Sequence, residues 1–143
     1  MKTLMSAVAL TLLPAVATAE TVKLDLDAVP GKTVHEVATL KPLALSAEGT
    51  PLAVLLEVPA GKEVPAHATK AGLRMLTVVD GTLYWGDGDK IDASAETVYP
   101  QGSILMVRAG EMHWLAAREG ALKLQLVVMP EEAPSPGVAK QLH

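Results

Sequence analysis

The 143-residue sequence has no cysteine and no phenylalanine, and its aromatic side chains are two tryptophans and two tyrosines. Without cysteine there is no disulfide scaffold, thiolate zinc site, iron–sulfur ligation or thiol nucleophile. Basic residues are in deficit, with 12 Lys+Arg against 16 Asp+Glu and no basic block. Nucleic-acid binding relies on clustered phosphate-neutralising cations, so nucleic acid is not an expected partner. No serine lies in a G-x-S-x-G elbow; Ser103 sits in Gln101-Gly102-Ser103-Ile104-Leu105, so no serine nucleophile is read. Nor does any stretch show the periodicity of a substantial amphipathic helix. Half of the residues are nevertheless hydrophobic, which excludes an acidic disordered chain and leaves length for one buried core.

The first hydrophobic stretch has a separate meaning. Lys2 precedes an apolar run from Leu4 to Leu13, Pro14 interrupts it, and Ala17-Thr18-Ala19 supplies small residues. That order is the pattern of a secretory signal peptide, with cleavage expected after Ala19. The run is shorter than the roughly 20 apolar residues a spanning helix needs. A chain beginning at Glu20 and located in the periplasm or outside the cell is expected, with no transmembrane segment.

Beyond Glu20, short apolar or alternating runs recur between Gly, Pro and Asp turns. Candidate strands are Val22–Leu26, Thr33–Leu40, Leu52–Val58, Leu73–Val79, Thr82–Trp85, Thr97–Tyr99, Ile104–Val107, Met112–Leu115 and Leu122–Met129. Asp80-Gly81 carries the strongest hairpin signal. Asp87-Gly88-Asp89 lacks the ligand ladder of a calcium loop and reads as an acidic hairpin turn. This density of strands predicts a single all-β barrel or sandwich over residues 20–130. A loosely ordered tail is expected over 131–143, where Pro and Glu cluster. Within Leu73–Val79, alternation puts Arg74, Leu76 and Val78 on one face. A charge inside an apolar run needs a partner, and Glu57 on the preceding run is a candidate.

Two segments resemble the signature motifs of the cupin superfamily. In the first, Gly61 is followed by His67, with Thr69 at the second histidine position, Arg74 at the glutamate position and Gly81 closing the motif. In the second, Gly102, Gly110 and His113 are in register, while Arg108 and Ala117 replace the usual proline and asparagine. The resemblance implies a double-stranded β-helix (jelly-roll) barrel whose mouth commonly holds a divalent metal. Carried over, it makes His67 and His113 the surviving metal ligands, for iron, manganese, nickel or zinc. Thr69 offers a neutral hydroxyl, and Arg74 a cation that keeps its proton. Catalytic metal sites usually supply three protein ligands. Glu57, Glu63, Glu111 and His35 are the residues available to rebuild the set; alternation places Glu111 on the face of His113. His35 otherwise reads as an ordinary strand residue and His143 as a terminal one.

The same residues define a metal-free alternative. His67, Thr69, Arg74 and His113 would form a cationic cluster among apolar walls, suited to a small polar or anionic ligand held by the donor fork of Arg74. The competing structural reading pairs Arg74 with Glu57. Trp114, next to His113, is expected to face away from it and pack between the sheets. Three functions follow: a small-molecule binding module, a metal-dependent dioxygenase or isomerase with unconventional ligands, and a homodimeric structural protein, since the family commonly pairs through its sheets.

Overall fold

A computed structural model describes residues 20–129 and 134–142. The expected signal peptide over 1–19, His143 and the start of the expected tail lie outside the described residues. Ten strands follow one another: β1 Lys32–Val34, β2 Ala38–Leu45, β3 Pro51–Val58, β4 Glu63–His67, β5 Leu73–Asp80, β6 Leu83–Asp87, β7 Thr97–Tyr99, β8 Ile104–Val107, β9 His113–Ala116 and β10 Leu122–Met129. A single helical turn, α1 Pro136–Ala139, comes after them. Its neighbour Leu142 accepts a hydrogen bond from Arg108 at 2.6 Å.

The strands form two antiparallel sheets, ordered β1-β2-β3-β10-β5-β8 and β4-β9-β6-β7. Their inner faces enclose one core, and the molecule is a double-stranded β-helix. Leu56 and Val58 on β3, Leu76 and Val78 on β5, and Leu122 and Leu124 on β10 come from the larger sheet. Val64, Leu83, Trp85 and Leu115 face them from the smaller one. Period-2 alternation on each strand produces this, because only one face of each sheet meets the other. Arg74, Leu76 and Val78 do share the inner face of β5, with Arg74 at its outer end.

Three expectations change. Val22–Leu26 forms no strand, and Val22 and Leu24 stand 74 and 58 % exposed. Their alternation has no buried face to serve. Asp80-Gly81 is a sharp turn but not a hairpin. β5 pairs with β10 and β8, β6 pairs with β9 and β7, and the turn carries the chain from one sheet to the other. Gly81 has φ +84°, and a Cβ there would collide with the Ala121 carbonyl. Glycine is therefore required both by conformation and by space.

The run Thr33–Leu40 is broken in its middle. The Val37 N–H donates to the Val34 carbonyl at 3.3 Å, and His35 and Glu36 have φ +50° and +65°. These are the signs of a type I′ turn, which ordinarily takes Asn-Gly. His35 thus leaves the strand and is held at the turn's tip. The acidic segment after β6 does connect antiparallel neighbours, β6 and β7. In it Asp92 caps a short 3₁₀ turn by accepting from the Ser94 N–H at 2.9 Å.

Candidate functional site

One end of the barrel opens into a cavity of about 580 Å³. Its deep walls are aliphatic, and its mouth carries His35, His67, Thr69, Arg74 and His113, with Lys32 and Lys70 at the rim. The two motif histidines meet because β4 and β9 pair with His67 directly opposite His113. Their ring centroids are 4.5 Å apart with planes at 63°. His35 arrives from the β1–β2 turn and lies 4.1 Å from His67, tilted by 34°. The indole of Trp85 stacks on the far side of His113. Three imidazoles therefore form a continuous cluster, of which sequence reasoning brought together two. The signal for the third was weak, since a His-Glu pair does not announce a type I′ turn.

Backbone carbonyls orient two of these rings. His67 Nδ1 is 2.8 Å from the Pro65 carbonyl and His113 Nδ1 is 2.9 Å from that of Glu111. A carbonyl only accepts, so each Nδ1 donates, and in the neutral ring Nε2 keeps its lone pair. Burial lowers the pKa of His113, opposed by the Glu111 carbonyl and reinforced by the charge of His67. Burial, and then the His67 charge, lower that of His35. Burial also lowers that of the Arg74 guanidinium, which nevertheless keeps its proton.

The remaining candidates separate. Arg74 donates to the Ala71 carbonyl at 3.4 Å and meets no carboxylate among the described residues. Glu57 does not pair with it. On β3 Leu56 and Val58 point inward, so Glu57 faces out, where Lys41 and Lys123 lie 3.5 and 3.6 Å from it. Glu111 does not line this cavity, although it borders an adjoining one together with Asp87 and His113. The loop before β9 interrupts alternation, and the Glu111 side chain lies exposed, 4.0 Å from Arg108. Glu63 pairs with Arg118 at 3.1 Å, and Arg118 also holds Glu96. Thr69 does line the cavity, and its hydroxyl oxygen is shielded from solvent with no hydrogen-bond partner. Trp114 faces away from His113 but lies across Gly86, outside the central core.

This donor set does not fit a divalent metal. Two histidines, a neutral hydroxyl and a guanidinium supply too few ligands and a fixed positive charge. His35 does not complete the set, because it meets His67 ring to ring and ring lone pairs lie in the ring plane. Among the described residues, no three His, Cys, Asp or Glu side chains are placed to share an ion.

No protein-family model and no curated protein matches the chain in sequence. Solved structures match its shape. A Klebsiella pneumoniae protein with a double-stranded β-helix domain aligns at TM-score 0.56 and 19 % identity, over 80 % of this chain and 95 % of that one. The polyketide cyclase RemF from Streptomyces resistomycificus aligns at TM-score 0.60 and 15 % identity, over 80 and 83 %. The CENP-C cupin domain of Drosophila melanogaster aligns at TM-score 0.55 and 11 % identity, over 72 and 77 %. The chain has the cupin fold. That fold serves an enzyme in one of these neighbours and carries a domain of CENP-C in another, so function has to come from the site.

Proposed function

We propose that this is an exported binding module whose barrel mouth holds a small anion, with Arg74 as its anchor. The observation that carries the reading is the asymmetry of the cavity lining. Among the described residues, its charged and hydrogen-bonding side chains are Arg74, three histidines, two lysines, two threonines and the Trp85 indole, without one Asp, Glu, Asn or Gln. A half-buried guanidinium that meets no carboxylate among the described residues is costly unless something negative joins it. The Thr69 hydroxyl, without a partner among the described residues, adds a neutral donor to the same lining. Export rests on the Lys2–Ala19 pattern.

Titration with acetate and inorganic phosphate, followed by Trp85 fluorescence, tests the site. Saturable binding in the wild type that weakens about 10- to 100-fold in Arg74→Ala supports it, the scale of a charge-assisted hydrogen bond. Equal binding in both proteins removes Arg74 from the role. N-terminal sequencing of protein recovered from cell fractions tests export, with Glu20 as the expected first residue.

A further inference from the structure

We infer that the ligand of this site is an amphiphilic monocarboxylate, its head at the Arg74 end and an apolar body running down the barrel. The inference rests on the anion-site reading above and concerns the other half of the ligand. Both walls of the cavity change character along their strands. On β5, moving one inward-facing residue deeper goes from Arg74 to Leu76. On β9, in the opposite sheet, the same step goes from His113 to Leu115. Two residues along a strand is roughly 7 Å, about the distance from a carboxylate to the middle of a short acyl chain.

Below that level the lining is continuous and aliphatic. Leu76 pairs with Leu126 on β10, and Leu126 in turn with Val54 on β3. Leu76, Leu115, Leu126 and Val54 all line the cavity. A sugar or polyol needs acceptors as well as donors along its length, and among the described residues these walls offer no side-chain carboxylate or amide for its hydroxyls. An inorganic anion would leave the lower cavity unused. A single oxyanion on a hydrocarbon or aryl body satisfies both ends: Arg74 and the Thr69 hydroxyl donate to the head, and the leucines cover the body.

The backbone strain at the mouth agrees with a built head-group site. His35 and Glu36 occupy left-handed φ values where neither residue is favoured. The turn they form delivers the third imidazole to the charged end and to no other contact with a ring.

Calorimetry with acetate, butyrate, hexanoate, octanoate and decanoate reads the inference directly on the whole mature protein. Affinity should rise about fourfold per methylene until the cavity is full, the increment for burying one methylene group. Leu126→Trp, which fills the lower cavity, should move the plateau to shorter acids. Acetate binding that depends on Arg74, with an affinity flat across the series, overturns the apolar body and leaves the anion site standing. No carboxylate binding of any length overturns both. The wild-type series decides by itself should the tryptophan variant fail to fold.

Discussion

Trp85 lies face to face with His113, the ring centroids 4.5 Å apart and the planes 13° from parallel. The indole N–H is occupied at the ring edge, donating to Asp87 at 2.8 Å. Trp85 is thus a fixed aromatic wall of the cavity, while Trp114 lies on the opposite face of its strand. A ligand reaching His113 should change the emission of Trp85 and leave that of Trp114 alone. Trp85→Leu should abolish the ligand-dependent signal in a fluorescence titration. A signal that persists in this variant places the ligand elsewhere.

Stability should fall in mild acid. The pKa values of His35 and His113 are lowered in the folded protein by burial, so the unfolded chain binds their protons more readily. Their contribution is full above the unfolded value of about 6.5 and declines as pH falls below it. His67 and Arg74 add repulsion at His113, and Asp87 offsets it in part. Lys32 and Lys70 line the same cavity. Urea midpoints measured from pH 7.5 to 5 should decline, and His113→Gln should flatten the curve. A saturating carboxylate should also flatten it, by supplying the missing negative charge.

The β1–β2 turn makes a sharper test, because stability and binding should move in opposite directions. Replacing His35-Glu36 with Asn-Gly gives a type I′ turn its preferred residues and removes a strain of about 1–3 kcal/mol per residue. The double variant should melt several degrees higher. It should also bind carboxylate more weakly, since one imidazole is gone. Higher melting with unchanged affinity would show that His35 serves no purpose in the site.

Two glycines with similar φ separate conformation from space. Gly61 has φ +74° with open space around the missing Cβ, whereas Gly81 has φ +84° and the Ala121 carbonyl in the way. Gly61→Ala should cost about 1 kcal/mol, the penalty of a left-handed alanine. Gly81→Ala should cost about 3 kcal/mol or more, since backbone has to move as well. Denaturant midpoints at constant m value give both figures.

Chelation should leave the fold untouched. A metal bound only to the folded state would raise the melting temperature by mass action. With Thr69 and Arg74 at two ligand positions, the melting curve should be the same with EDTA as with added zinc or iron(II). Installing the residues of the cupin motif in Thr69→His with Arg74→Glu should make melting metal-dependent. A metal-sensitive wild type would return the site to the metalloenzyme reading.

Much of the fold was legible because strand signals are local. The apolar runs of β3, β5 and β10 are bounded by Pro, Gly and Asp, and the two motifs fall in register. Alternation alone put Arg74 on one face with Leu76 and Val78 and opposed His113 to Trp114, while the motif resemblance implied that the face of Arg74 turns inward. What failed did so where a residue's surroundings come from another strand. Val22–Leu26 alternates as a strand does but pairs with nothing. Glu111 precedes β9 by a loop residue, so alternation with His113 had no strand to act through. Glu57 found two lysines on the outer face of the sheet.

The absence of cysteine, of a second motif histidine and of a carboxylate at position 74 is written in the chain. From those absences alone, the barrel mouth is short of ligands and carries a cation. Alternation supplies the aliphatic inner face beneath it, since side-chain direction in a strand depends only on neighbours in sequence. The folded molecule decided the company each group keeps. A left-handed turn takes His35 out of its strand and sets it against His67, and lysines on β2 and β10 occupy Glu57. Those pairings depend on sheet order and register across distant segments, which no local pattern encodes.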